Sequence, residues 1–470
     1  MTGTDFDLAV IGAGPAGMSA AAAAAEAGLR VILLDEQRGP GGQIYRAIEE
    51  EGLKDPVILG PDYRHGTSVA KRLRASTATY ASETMAWLVD RTDEGFAVAC
   101  SSPGGSRMLT ARRLVVATGA MERPVPVPGW TLPGVMSAGA AQIMLKQSGI
   151  VAGGDDGIVL AGCGPLLFLL AAQYVRAGAK IAAILETTTL RDRIYALRHL
   201  PGALRGHAYL TKGLGLLAEI RRARVPVLSG VSDIRIDGED SAEAISFIHR
   251  GALRRMIART IVLHEGVVPN TQLPAALGCR MIWDGDQACW RPELGRFGAT
   301  SEPGIHVAGD GGGIDGAKSA ELSGELAALG IARDLGSLSA GDADARAARL
   351  EAALGRDRAV RPFLERLYRP HLSVPKADDT IVCRCEEITA GEIRAIAAGG
   401  CPGPNQMKSF CRAGMGPCQG RMCSLTVTRL MADVRQESPS VVGYYRLRMP
   451  IKPVTVAEMA ELSDGSGGIL

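Results

Sequence analysis

The sequence predicts an α/β protein: two similar parallel-sheet units, then a small helical domain that carries cysteines. Three observations predict it. A glycine-rich turn between an apolar run and an Ala- or Leu-rich segment occurs twice, at residues 12–17 and 162–167. Glycine reaches 59 residues while aromatics make up 4% of the chain, which suits tight turns and close helix contacts. Four cysteines, Cys383, Cys385, Cys418 and Cys423, crowd together near the end. At 470 residues, and about 150 per domain, roughly three domains are expected.

The first unit begins with DLAVI (7–11), a short apolar run suited to a buried strand. GAGPAG follows, with Gly12, Gly14 and Gly17 in the G-x-G-x-x-G spacing and Pro15 and Ala16 between them. In this pattern the first glycine permits the tight turn, the second lets a pyrophosphate approach the backbone, and the third lets helix and strand pack closely. The helix N-terminus then offers free N–H groups to the phosphates. The Ala-rich helix is expected to run to Ala27 and stop at Gly28, with RVILLDE (30–36) as the second strand. An acid at the end of that strand can bind ribose hydroxyls; Asp35 and Glu36 both fall in the window, Asp35 better by count, with Gln37 beside them. Strand, helix, second strand and acid agree on a Rossmann-like dinucleotide unit, which a lone glycine turn would not establish.

Three further segments belong to this unit. GPGGQIY (39–45) follows the acid, RRLVVATGA (112–120) is a strand ending at Thr118-Gly119, and GIHVAGD (304–310) is a strand ending at Gly309-Asp310. GGGIDGAKS (311–319) lacks the glycine–lysine step of a P-loop and reads as the loop and helix start after Asp310. The second unit, 157–186, has Gly162 and Gly164 but Leu167 at the third glycine position, with Glu186 near the end of its second strand. A leucine there crowds the turn, so a dinucleotide-type fold is expected with nicotinamide binding in doubt.

Some chemistries are excluded. A net charge of +2 with no basic stripe argues against nucleic acid. Acidic residues stand where a secretion signal would begin, and the longest apolar run, 158–175, contains Gly162, Gly164 and Pro165, so neither export nor a transmembrane segment is expected. Ten cysteines then sit in a reducing compartment, where clustered thiols serve as metal ligands or redox groups rather than disulfides. The expected location is cytoplasmic, either free or peripheral to the inner membrane. No C-x-x-C lies between the two dinucleotide-type units and no C-x4-C follows the first, so an exchange dithiol is missing there; the seven histidines are scattered, and no catalytic base or nucleophile is assigned.

Residues 335–375 are Ala/Arg-rich and read as a helical connector. Behind it, Cys383-x-Cys385 and Cys418-x4-Cys423 are the ligand candidates, with a short helix in GEIRAIAAGG opened by Glu387 and Thr389. Four thiolates suffice for a 2Fe–2S cluster and equally for structural zinc, and spacing alone leaves both open. Cys401 and Cys411 are extra thiols, Cys411 being a competing ligand candidate.

On these segments, residues 5–330 resemble the two-dinucleotide-domain flavoproteins, the thioredoxin reductase-like group. That resemblance implies FAD, with Thr118 and Gly119 closing its domain, Gly309 and Asp310 at the ribityl chain, and Gly42 and Gln43 near pyrophosphate and flavin. The cysteine segment, CRCE and GMGPCQGRMC, resembles the bacterioferritin-associated-ferredoxin-like domain fused behind flavoprotein subunits. This implies a 2Fe–2S cluster on Cys383, Cys385, Cys418 and Cys423. The full chain, through DEQRGPGGQIYRA (35–47), ATGAMERPVPVPGW (117–130), CGPLLFLL (163–170) and YRLRMPIKPVTVAEMAEL (445–462), resembles the flavoprotein A or α subunit of heteromeric amino- and imino-acid dehydrogenases. That group includes octopine and nopaline oxidases, hydroxyproline and proline dehydrogenases and hydrogen cyanide synthase, and shares the Leu167 departure.

The resemblance implies an oxidoreductase subunit that relays electrons through FAD and 2Fe–2S. A D-amino-acid-oxidase-like β subunit with its own FAD would oxidise the C–N bond of an amino acid, imino acid or opine. Some members add FMN between the subunits, and some a small ferredoxin-like subunit. The alternatives are a self-contained NAD(P)H-dependent reductase, with Glu186 on the nucleotide ribose, and a zinc-holding scaffold without flavin. The expected domains are a discontinuous FAD-binding domain (1–124 and 263–340), a second dinucleotide-type domain (125–262), the connector (341–376), the 2Fe–2S domain (377–437) and a tail (438–470).

Overall fold

The computed structural model describes residues 4–50, 57–154 and 156–463. Its first sheet has seven strands. Thr79–Ala81, Val31–Leu34, Phe6–Ile11 and the far half of Gly105–Val116 lie parallel in that order, and Ile305–Val307 adds to Gly105–Val116. Gly105–Val116 is longer than its apolar end suggested. Its first half turns back to pair antiparallel with Gly95–Ser102, which pairs with Met85–Thr92. One strand can serve both pairings because Ala111 faces Phe6 on one side and Phe96 on the other.

The helix Pro15–Glu26 follows the first strand directly, with proline in its first turn, where the missing N–H costs nothing. Its alanines are almost all buried, which suits a helix squeezed between a sheet and a second helix, Ala317–Asp334. The two helices touch at backbone distance: a Cβ on Gly324 would lie 2.1 Å from the Ala16 carbonyl oxygen. Each fully buried Leu or Val beneath them, such as Leu8, Val10 or Leu33, contributes about 1.5–3 kcal/mol.

The second sheet is parallel throughout, in the order Val227–Ser229, Ile181–Glu186, Ile158–Cys163, Thr260–Glu265, Val135–Ser137. The strand Thr260–Glu265 crosses residue 262, where the second unit was expected to end. A three-stranded antiparallel sheet (232–237, 244–249, 252–257) covers one face. Two short antiparallel strands, Ala120–Glu122 and Val267–Pro269, carry the chain into this unit and out again.

The connector is helical, Ala340–Arg358 and Arg361–Leu367. In the cysteine-bearing domain the short helix is Ala390–Ala398, and Thr389 rather than Glu387 opens it. Thr389 accepts from the Glu392 N–H while the Glu392 carboxylate accepts from Thr389, a capping box; Glu387 sits with φ 54° in the preceding turn. Helices Pro404–Cys411 and Ser424–Arg435 complete the domain. The tail returns to the first sheet, where Ile451 N donates to Trp87 O, Lys452 pairs with Glu36 at 2.7 Å, and Glu461 accepts from Ser106 N. No helix among the described residues is long and apolar enough to cross a membrane.

Candidate functional site

The first glycine turn is shaped by contacts that exclude side chains. Gly12 has φ 103°, and a Cβ there would meet the Ala117 carbonyl oxygen at 2.5 Å; a Cβ on Gly17 would lie 1.8 Å from the Gly12 oxygen. Helix, turn and strand are therefore locked together, with Gly14 as the N-cap and Pro15 opening the helix. Asp35 closes the turn from the second strand: Oδ2 accepts from Ala13 N at 2.5 Å and Oδ1 from Gln37 N at 2.8 Å. Burial raises its pKa, and the neighbouring Glu36 charge adds to that. Glu36 itself points to Lys452. Gln37 is held by Arg46, which also donates to the Gln43 side chain at 3.0 Å.

The 39–45 loop folds over this turn, and a Cβ on Gly42 would come within 2.8 Å of Gly14 Cα. Lys146, on the helix Ala138–Ser148 of the second unit, grips the loop from the other side. Its Nζ donates to Gln43 O, Ile44 O and Gln142 Oε1, all at 2.9 Å. The side chain is 2% exposed, and burial together with the Arg46 charge brings its pKa down to about 7. Sequence reasoning missed Lys146, since no local pattern marks a lysine that reaches 103 residues back along the chain.

Gly309 meets the same turn. It has φ 72°, a Cβ on it would lie 2.8 Å from Ala16 Cβ, and its N–H donates to Ser323. Asp310 accepts from Asp315 N and Gly316 N, both at 2.9 Å, just before the helix Ala317–Asp334, and burial raises its pKa. Gly119 (φ 63°) accepts from Asn270 N at 2.9 Å, and the Thr118 hydroxyl donates to Asn270 O at 3.4 Å. Gly12–Gly17, Gly42 and Gly309 thus share one place, and Thr118–Gly119 leads from it to the paired short strands.

Beyond those strands lies a cavity lined by Met121, Pro269, Gln272, Trp290, Arg421 and Tyr444. Gln272 Oε1, Trp290 Nε1 and Arg421 Nε are buried there with no hydrogen-bond partner among the described residues; Asn270 Oδ1 and Gln419 Oε1, close in sequence, are orphaned in the same way. Unpaired buried polar atoms are costly, so a concentration of them marks a place where a polar group not supplied by the chain fits. Gln272 Nε2 donates to Gln419 O at 3.4 Å, and Gln419 follows Cys418. The cavity therefore adjoins the cysteines on one side and the Thr118–Asn270 clamp on the other.

The four cysteines come together in two thiol pairs, Cys383 with Cys423 and Cys385 with Cys418. The Cys423 hydrogen bond draws the Cys383 pKa down to about 5, assisted by backbone N–H groups of Gly414, Glu386 and Cys385, while Cys423 rises in return. The surroundings fit thiolates. A Cβ on Gly416 would lie 2.3 Å from Cys385 Cβ, and Gly414 has φ 88° beneath Tyr445. Among the described residues no group of three or more His, Cys, Asp or Glu stands in a metal-binding arrangement, so the donor set is present as pairs and not as a closed cage. Cys401 and Cys411 are turned to carbonyls, those of Gly403 and Met407.

The second glycine turn is built differently. A Cβ on Gly162 would lie 1.7 Å from His264 O, and the His264 ring comes to 3.1 Å of a Cβ on Gly164. That ring is fixed by Glu122, Nδ1 to Oε1 at 2.5 Å. Leu167 is fully buried in the core of this unit. Glu186 Oε2 is engaged by Arg193 at 2.7 Å and Ser229 at 2.5 Å. The end of the connector lies over the turn: Cys163 Sγ donates to Arg369 O, the Tyr368 ring packs 6.2 Å from Phe168, and His371 and Leu372 N–H groups hold the buried Glu265.

Comparison with known proteins agrees with this architecture. Residues 6–324 match the family described as pyridine nucleotide-disulphide oxidoreductase, and residues 378–462 match the sarcosine oxidase A3 domain, one unit spanning the cysteines and most of the tail. The chain is 46% identical over 464 residues to the opine oxidase A subunit of Rhizobium meliloti, covering 97% of this chain and 88% of that one. It is 32% identical over 477 residues to hydrogen cyanide synthase subunit HcnB of Pseudomonas aeruginosa, covering 96% and 98%. The crystal structure of L-proline dehydrogenase from P. horikoshii matches with a TM-score of 0.70 at 19% identity, over 97% of this chain and 79% of that one, a likeness of fold.

Proposed function

The chain belongs to the family of opine oxidase A subunits, and from that premise we propose that it is the electron-relay flavoprotein of a heteromeric dehydrogenase acting on an opine, amino acid or imino acid. The C–N bond is oxidised on an unlike, D-amino-acid-oxidase-like β subunit; FMN between the two chains and a small ferredoxin-like subunit belong to the same reading. The observation that carries it is the continuity from the first glycine turn, past Thr118 and Asn270, through Gln272 and Gln419 to Cys418.

In this reading Gly12, Gly14, Pro15, Ala16 and Gly17 receive the pyrophosphate of FAD, Asp35 the ribose, with Glu36 and Gln37 at its edge. Gly42, Gln43, Thr118, Gly119, Gly309 and Asp310 surround the rest. Cys383, Cys385, Cys418 and Cys423 hold a 2Fe–2S cluster, and the N–H groups of Gly414 and Glu386 stabilise the thiolates. FAD takes electrons in pairs and a 2Fe–2S centre carries one at a time, so a chain holding both joins two-electron chemistry to one-electron transfer. Lys146 keeps Gln43 against the turn, and the buried orphans Gln272, Trp290 and Arg421 offer an acceptor and two donors to the polar edge of a ring.

The stand-alone reductase reading needs Glu186 and the second turn for a nicotinamide nucleotide. Glu186 is already engaged and the turn is covered. Anaerobic titration of the purified chain, first with NADH and NADPH and then with dithionite, tests the choice. Dithionite alone is expected to bleach the flavin and iron–sulfur bands. Bleaching by either nucleotide at a catalytic rate overturns the relay reading, and a protein with neither band overturns both.

A further inference from the structure

The crossover between the second-sheet strands Ile181–Glu186 and Val227–Ser229 is a run of helices, Leu190–Ala196 through His207–Arg222. Among the described residues, six of the eighteen exposed large apolar side chains lie within residues 190–217. They follow helical spacing: Leu190, Ile194 and Leu197 form one i, i+4, i+7 stripe, and Leu214 and Leu217 continue another from the half-buried Leu210. The exposed members range from 41% (Leu217) to 73% (Leu190). Such stripes normally face a core. Here the core is served by other residues, Ile220 and Ala196 among them, so both stripes are left outward.

Charge narrows what can cover them. Residues 190–222 hold seven Lys or Arg against two Asp or Glu, in a chain of net charge +2. Both acids are consumed within the fold, Asp192 by Thr189 and His371 and Glu219 by Arg176. Arg193 and Lys212 have carboxylate partners, Glu186 and Asp62. Arg191, Arg198, Arg205, Arg221 and Arg222 have none among the described residues; Arg191 and Arg198 lie over the Tyr195 ring. The surface is thus aliphatic with an uncompensated arginine rim. A second copy docked on it through a two-fold axis would set arginine against arginine. A helix lying in a membrane plane takes the same pattern of leucine against arginine, and the position of the face in the molecule is what favours a protein partner.

The face also borders the cofactor end. Arg366 stacks 4.8 Å from Tyr195; the adjacent Glu365 accepts from Gln287 Nε2 at 2.8 Å; and Gln287 accepts from Ile314 N, in the loop after Asp310.

We propose that Leu190, Ile194, Leu197, Leu214 and Leu217, with the unpaired arginines around them, form the docking face for the unlike subunit of the complex, which presents an apolar patch rimmed by carboxylates. This rests on the subunit reading above.

The test is co-purification of the full chain with the co-expressed, tagged unlike subunit. Ile194→Glu/Leu197→Glu and Leu214→Glu/Leu217→Glu are expected to lower recovery of the complex at least tenfold with unchanged melting temperature. Leu253→Glu/Ile257→Glu, equally exposed on another sheet, is expected to change nothing. Wild-type recovery by both stripe variants overturns the proposal, as does loss with the Leu253/Ile257 variant alone. Flotation of the wild-type chain, but not the stripe variants, with phosphatidylglycerol/phosphatidylcholine vesicles assigns the face to lipid and overturns it. A dimer of the chain alone that the stripe variants dissolve assigns it to a second copy, with the same consequence. Failure of the wild-type chain itself to retain the subunit counts against the relay-subunit reading, not the choice of face.

Discussion

The two glycine turns of this chain begin alike and end as different objects. Both have a first glycine at positive φ, Gly12 at 103° and Gly162 at 130°, because the neighbouring strand's carbonyl, Ala117 O or His264 O, occupies the space of a Cβ. After that they diverge. At the first turn Gly17 lets the helix rest on the turn and the Asp35 carboxylate accepts from the backbone N–H groups of Ala13 and Gln37. At the second, Leu167 fills the core, the His264 ring stands beside Gly164, Glu186 is engaged by Arg193 and Ser229, and the connector lies across the top. A glycine pattern therefore reports how a strand turns into a helix. Whether a nucleotide can enter depends on side chains brought from far along the chain.

The comparison can be broken most severely by exchanging the third position. Gly17→Leu forces a side chain into the Gly12 carbonyl and is expected to cost more than about 4 kcal/mol, with complete loss of bound flavin, read from the absorbance spectrum and the urea midpoint. The reverse change is milder. Leu167→Ala is expected to cost about 3 kcal/mol through the cavity it leaves, and to create no NADH binding by calorimetry, because His264 and the connector stay in place. Measurable NADH binding by that variant would mean that the leucine alone closes the second turn.

The two acids sharpen the contrast. Asp35→Asn is expected to weaken flavin retention by about 2 kcal/mol, roughly thirtyfold, while Glu186→Gln leaves it unchanged. Equal losses from both would erase the distinction.

The smallest effect concerns the lysine between the units. Lys146 has a folded pKa lowered from 10.5 to about 7, so between those values the unfolded chain binds more protons than the folded one. Its contribution therefore makes stability rise with pH from about 7 to 10.5 and stay flat below 7. Lys146→Met is expected to remove that slope in a melting-temperature profile, and a slope unaltered by the substitution assigns it to other groups.

Much of this is legible without coordinates. Strand, turn, helix, second strand and Asp35 lie within about thirty consecutive residues, so spacing and glycine identity suffice to read them. The alternation of Gly, Cys and Pro around Cys418 and Cys423 likewise announces a thiol cluster locally. What is not legible follows from contact order. The antiparallel excursion 85–111 hides inside a strand that looks short, and Thr389 reads as a partner of Glu387 although its capping box runs forward to Glu392. The tail's return to Trp87, Glu36 and Ser106 has no local signature at all.

By itself the sequence determined the α/β class, the two dinucleotide-type units and the candidate ligand residues, because each depends on residue types at short fixed spacings; the family was legible only as a resemblance along the whole chain. Only the tertiary structure decided that the connector and the His264 ring crowd the second glycine turn, that Gln272 and Gln419 join the first unit to the cysteines across 147 residues, and that two leucine stripes face outward. Those outcomes are set by what packs against a segment, and a segment does not encode its neighbours.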